Sequence, residues 1–422
     1  MVELINHGVY LLNGTEIRDN YQGMTPDEAR ENTITYGILR SHDVDGGKGN
    51  KMRIRFDAMM SHDITYVGII QTARASGLEE FPLPYAMTNC HNSLCAVGGT
   101  INEDDHVFGL SAAKKYGGIY VPANQAVIHQ YAREMMVKCG NMILGSDSHT
   151  RYGSLGNMGV GEGGGELVKQ LLKNTWDINA PEVVLVWLEG APKKGVGPHD
   201  VAISLVKATF ESGVVKNKVL EFAGPGVKNL PIDFRNGIDI MTTETTCLSS
   251  IWVTDEEVKH HYDIHERPQD YRELKPGDVA YYDMMIRIDL STQESMIALP
   301  FHPSNAVTIH ELQADPVGIL TRIEEDAKKR FGDKVDVHLV DKVVDGKVQA
   351  DQGIIAGCSG GTYDNLAEAA AILKGKNIGN DYFTASAYPQ STPVSMAVTR
   401  EGITADLIEA GVVMKPAFCG PC

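Results

Sequence analysis

The chain has 422 residues, 43% of them hydrophobic and 22% charged, with a formal net charge of −17. That length exceeds one ordinary core and predicts two or three domains, while the acidic balance disfavours nucleic acid as a partner. No apolar run approaches the roughly 20 residues of a membrane helix, and Met1 to His7 lack the basic and apolar regions of a secretory signal. We therefore expect a cytoplasmic protein with no membrane partner. The seven cysteines are odd in number and scattered, which fits a reducing compartment and thiols used for chemistry or packing.

Up to about residue 180, short apolar runs mix with glycine-containing loops. Among them, Asn141-Met142-Ile143-Leu144-Gly145 reads as a buried strand running straight into the loop Ser146-Asp147-Ser148-His149-Thr150. A glycine-dense segment from Gly153 to Gly165 opens into a helix from Glu166 to Leu172, and Val183 to Leu188 is a further strand. The loop from Gly190 to Gly197 predicts a domain boundary. Beyond it, Val201, Ile203, Val206 and Phe210 share one face of a helix, Val219 to Phe222 form a strand, and 236–253 complete a middle domain. The charged stretch 254–276 carries His260, His261 and His265 and reads as a solvated helix and loop. From about 290, expected strands at Val335 to Val340, Gly353 to Gly357 and Tyr382 to Ala385 alternate with helices from Tyr363 to Lys374 and near 395–410. The alternation predicts an α/β fold with a largely parallel sheet, in three domains at 1–190, 191–289 and 290–422.

Two motifs need weighing. Gly159-Val160-Gly161-Glu162-Gly163-Gly164 formally matches the dinucleotide fingerprint, but no hydrophobic strand directly precedes it. It reads as a glycine-rich turn packed closely on neighbouring backbone. Cys419-Gly420-Pro421-Cys422 sets two thiols three positions apart, and Cys358 stands upstream in Ala356-Gly357-Cys358-Ser359-Gly360-Gly361. The pair alone suits a zinc half-site or a redox pair. Structural zinc wants four ligands, however, and no second pair exists; a thioredoxin-like pair belongs near an early strand. One isolated cysteine and a C-G-P-C pair can supply three thiolates to a four-iron cluster, leaving one iron open to a substrate oxygen. Cys95, Cys139 and Cys247 read as small buried hydrophobes, and Glu221 as a structural residue of its strand.

Gly145 to Thr150 resemble the signature of the aconitase and isopropylmalate dehydratase superfamily. The order of the other parts agrees: Ile128-His129-Gln130 upstream, Met241-Thr242-Thr243-Glu244 downstream, then Cys358 and the C-G-P-C pair. The resemblance covers nearly the whole chain and implies a three-domain aconitase-like α/β core without the family's mobile C-terminal domain. It further implies a [4Fe–4S] cluster on Cys358, Cys419 and Cys422, and reversible hydration and dehydration of a small anionic hydroxy di- or tricarboxylic acid. The roles it assigns are His–carboxylate pairing for His129 with Asp147 and His149 with Glu244, acid catalysis for His91, and substrate contact for His62, Asp147 and Ser148.

Four departures mark a divergent branch. Cys90 stands where the family has an aspartate, so His91 is expected to lack its usual carboxylate; His62 replaces a glutamine; Ile240 replaces an asparagine; and Ser359-Gly360-Gly361 replaces Thr-Asn-Ser. The family's substrate-binding arginines and serine base lie beyond the third cluster cysteine. We expect a fragment, or one part of a divided enzyme completed by the mobile domain or a separate small subunit. The alternatives are the large subunit of an isopropylmalate or homoaconitate-type dehydratase, and a non-catalytic cluster-binding iron or redox sensor.

Overall fold

Five short strands form the first sheet, in the spatial order Ile119–Val121, Tyr85–Thr88, Ala58–His62, Met142–Gly145 and Met158–Gly161, every pair parallel. The computed structural model describes residues 2–47, 49–91 and 99–419. The three central strands are buried at every position, as parallel strands covered on both faces must be. From Ala58–His62 the chain passes through the helix Tyr66–Ala75 to one side of the sheet, and later returns to the other side at Met142–Gly145. The loops leaving these two neighbouring strands diverge, and such a reversal of strand order opens a crevice at the carboxyl edge.

The glycine-rich segment serves that edge. Gly159 and Gly161 lie within the strand Met158–Gly161, where an added Cβ would fall 2.8 Å from the carbonyl oxygen of Thr150 and 2.5 Å from that of Asp147. They allow the 146–150 loop to lie against the strand, and nothing in this placement resembles a dinucleotide-binding turn.

A second five-stranded sheet runs Val2–Ile5, Met284–Asp289, Val183–Glu189, Val219–Ala223 and Ser249–Trp252, parallel except for its first strand. Helices Pro198–Thr209 and Ile232–Met241 bury Val201, Leu205 and Ile238 in its core, where Phe222 stacks on Trp252 at 4.1 Å. A small parallel sheet of Gln352–Ile355, Thr384–Ala387 and Val413–Met414 carries a third core around Leu366, Val398 and Leu407. We propose one domain around each sheet, with Val2–Ile5 and Val183–Glu189 contributing to the second.

Three local expectations change. The run from Val335 to Val340 pairs with no strand among the described residues and ends in a short 3-10 turn, Val340–Lys342; its alternating apolar residues have no sheet edge to join. The helix near 395–410 is two helices, Thr392–Arg400 and Ile403–Glu409, separated at Gly402 with φ of 80°. The charged helix Glu256–Ile264 is not solvated throughout, because Val258, His261 and Tyr262 are buried. No helix among the described residues is long and apolar enough to cross a membrane.

Candidate active site

Asp147 sits at the crevice, fixed by its own loop. Its Oδ1 accepts the backbone N–H of His149 at 2.7 Å, and its carbonyl accepts the Thr150 hydroxyl at 2.7 Å. Four imidazoles converge on this one carboxylate. His129 Nε2 lies 3.1 Å and His149 Nδ1 3.5 Å from Oδ1, while His91 Nε2 lies 3.3 Å and His62 Nε2 3.5 Å from Oδ2.

Each ring arrives from a different element. His62 ends the central strand Ala58–His62, His91 follows the strand Tyr85–Thr88, and His129 opens the helix Ile128–Met135 with Tyr152 Oη 3.1 Å from its Nδ1. His149 turns its Nε2 to Glu244 at 2.9 Å. The short 3-10 turn Thr242–Thr245 holds that carboxylate in place, and Thr243 donates its hydroxyl to the carbonyl of Ser148 at 2.7 Å. Ser148 itself is exposed, with Oγ 3.4 Å from His149 Nδ1.

His91 has no carboxylate on the preceding residue, which is Cys90, but it faces one from elsewhere. Asp147 faces its Nε2, Cys90 Sγ stands 3.4 Å from its Nδ1, and Asp63 accepts its backbone N–H at 3.0 Å. The carboxylate comes from the loop of another strand, so the replacement at the preceding residue does not leave the ring alone. Asp63 also meets His106 Nε2 at 3.1 Å. Sequence reasoning missed Asp63, His106 and Tyr152 as supports of the site; only Asp63, beside His62, had a local signal.

Burial penalises the charged form of every ring, and its partners decide the outcome. For His91 burial is outweighed by Asp147 and then Cys90, which push the imidazole up to about 10. For His149 burial is outweighed by Asp147 and Glu244, giving about 9. His62 is held down to about 4 by burial and by the charge of His91, whose ring lies 3.9 Å away centroid to centroid. Burial lowers His129 as well, against the pull of Asp147. Burial opposes the charge of Asp147, yet His129, His149 and His91 hold its carboxyl well below the usual range. Near neutral pH the set therefore combines two imidazolium acids, His91 and His149, with two neutral rings, His62 and His129.

The His149–Glu244 pair predicts a pH window. The raised pKa of His149 contributes stability in full below its ordinary 6.5, lost as pH rises through about 9. The lowered pKa of Glu244 contributes above its ordinary 4.5 and is lost as pH falls. Wild type and Glu244→Gln should differ most in melting stability between about pH 5 and 8, and converge outside it. The difference should be about 1 kcal/mol, because His149 is 35% exposed. A difference that stays constant from pH 4 to 10 sinks the assignment.

Cys358 lies in the short helix Gly357–Gly360, and both it and Cys419 are buried in the first core. The same elements that place the histidines also anchor the cysteines. Cys419 donates its N–H to the carbonyl of Cys90 at 2.8 Å, and Arg133, from the helix of His129, donates to the carbonyl of Cys358 at 2.9 Å. Cys422 lies outside the described residues.

The sequence model of the aconitase family (aconitate hydratase) matches residues 36–422. The chain belongs to the aconitase family. It is 28% identical over 312 residues to the 3-isopropylmalate dehydratase large subunit of Elusimicrobium minutum, covering 74% of this chain and 66% of that one. It is 26% identical to the mitochondrial aconitate hydratase of Schizosaccharomyces pombe, covering 97% of this chain and 52% of the relative. With the 3-isopropylmalate dehydratase large subunit 1 of Thermotoga maritima it shares 25% identity over 89% of this chain and 82% of the other. The chain thus spans about half the length of the aconitate hydratase and about two thirds of the first dehydratase subunit.

Proposed function

We propose that the chain is the cluster-bearing part of an iron–sulfur hydro-lyase that reversibly hydrates and dehydrates a small hydroxy di- or tricarboxylic acid. The observation that carries this reading is the convergence of four imidazoles on Asp147 at a crevice whose elements also hold Cys358, through the Arg133 side chain, and Cys419, through the Cys90 carbonyl. Buried thiols are soft donors of the kind iron–sulfur clusters take, so the residues present fit the group. Cys358, Cys419 and Cys422 would hold a [4Fe–4S] cluster, which when bound supplies a Lewis acid for a substrate hydroxyl.

The remaining chemistry belongs to side chains of this chain. His91, protonated by virtue of Asp147, holds a proton for a leaving hydroxyl. His129 is kept neutral and oriented between Asp147 and Tyr152, and Glu244 orients His149. His62 and Ser148 are the contacts we assign to substrate. Two imidazoliums balance the carboxylates of Asp147 and Glu244, so this set has no cation to spare for an anionic substrate. The missing cations would come from a mobile domain or a separate small subunit, and a cytoplasmic location would keep the thiols reduced for cluster assembly.

The test is anaerobic iron–sulfur reconstitution of the chain, followed by visible absorbance and electron paramagnetic resonance with and without hydroxy-acids. A cluster whose signal shifts with one of the acids is the expected result. A cluster that ignores all of them favours a sensor, and bound zinc without a cluster removes the reading.

A further inference from the structure

Arg133 lies one turn after His129 on the same face of the helix Ile128–Met135, and its side chain is wholly buried. A guanidinium stays charged in any protein environment, so this is a fixed positive charge in the interior. Nη1 donates to the carbonyl of Cys358 at 2.9 Å, but Nε and Nη2 have no acceptor among the described residues. Among the described residues no carboxylate stands within ion-pair distance of it. Its neighbour Glu134 accepts on Oε1 from Gln130 and Ser391, and Asp239 on Oδ1 from Ser250 and Trp252, leaving Asp239 Oδ2 unpartnered among the described residues. Arg133 favours the charged forms of Asp233 and Asp239 through space but bonds neither.

Arg235 shows the contrast. It is equally buried, yet Asp255 receives both ends of its fork at 2.8 and 2.7 Å. A buried guanidinium kept only for stability is paired in this way, because an unpaired one is costly. Arg133 therefore bonds no anion among the described residues, and the segment it touches is the one that carries Cys358.

We infer that Arg133 is the resident counter-charge of the iron–sulfur cluster, a positioning residue whose two spare donors and fixed charge are directed at the anionic group on Cys358. This rests on the cluster reading above. Three thiolates outweigh the charge of an oxidised four-iron core, and reduction makes the group more negative still. A neighbouring cation stabilises both states, the reduced one more, and so raises the reduction potential. In the cluster-free protein the same charge is a liability. The effects of Arg133 on the two forms should therefore have opposite signs.

The experiment compares wild type, Arg133→Met and Arg133→Lys as full chains. Cluster-free samples are melted, and anaerobically reconstituted samples are titrated with reductant under electron paramagnetic resonance. Without a cluster, Arg133→Met should melt above wild type. With one, it should be about tenfold harder to reduce, a shift of about −59 mV for a one-electron couple, and should lose iron faster in air. Arg133→Lys should keep most of the potential. An unchanged potential in Arg133→Met overturns the inference whatever its melting point. A lower melting point, or failure to fold, overturns it too, because Arg133 would then be a structural peg for the Cys358 carbonyl. Failure of wild type itself to assemble a cluster would remove the hydro-lyase reading first, and this inference with it.

Discussion

Replacing Asp147 by asparagine is expected to collapse the titration order of the site while the fold survives. The substitution is isosteric, and the amide oxygen can still accept the His149 N–H that now meets Oδ1 at 2.7 Å. What disappears is the single negative charge facing four imidazoles. His91 should fall from about 10 and His149 from about 9, each towards or below the ordinary value of 6.5, with His149 falling less because Glu244 remains. Imidazole proton resonances followed against pH measure this without any substrate. On the proposed hydro-lyase reading, turnover should drop about a thousandfold or more, since the site loses a charged acid together with the group that orients His129. A His91 that still titrates near its wild-type value would show that Cys90, 3.4 Å from Nδ1, is the partner that matters.

The chain signals this site in part, and the reason lies in distance along the sequence. Asp147 and His149 stand in one loop, and the apolar run before them marks a strand end, so their shared location follows from adjacency. The pairings of His129 with Asp147 and His149 with Glu244 span 18 and 95 positions, and only resemblance to a family put those partners together. Resemblance was also incomplete. It marked Cys90 as standing in for an aspartate beside His91, but did not show that Asp147 reaches the ring from across the sheet. Arg133 had no signal, because a charged residue in an amphipathic helix reads as solvated until the packing around it is known. The third sheet was less legible than the first. The alternating residues from Val335 to Val340 look like a strand locally, but a strand needs a neighbour and none among the described residues pairs with them.

Glu221 gives the largest expected effect on stability. An acidic residue inside the apolar strand Val219–Ala223 is wholly buried, and its carboxylate is satisfied on both oxygens. Oε1 accepts from the Ile34 N–H at 3.1 Å and the Tyr282 hydroxyl at 2.7 Å; Oε2 accepts from the Thr35 N–H at 2.9 Å and its hydroxyl at 2.8 Å. Ile34 and Thr35 open the helix Ile34–His42, whose first N–H groups have no partner of their own, and the positive end of the helix dipole favours the charge there. Burial pushes the carboxyl up, and the bonds from Thr35, Tyr282 and Ile34 pull it back. The same helix buries Ile38 and Leu39 in the first core, so this one carboxylate joins the first core to the second sheet. Glu221→Ala strands two buried N–H groups and should cost about 3–5 kcal/mol. Tyr282→Phe, which removes one donor of four, should cost about 1 kcal/mol. Urea midpoints at unchanged slope measure both. Equal losses for the two variants would mean that the tyrosine alone carries the interaction and that the helix end finds its partners elsewhere.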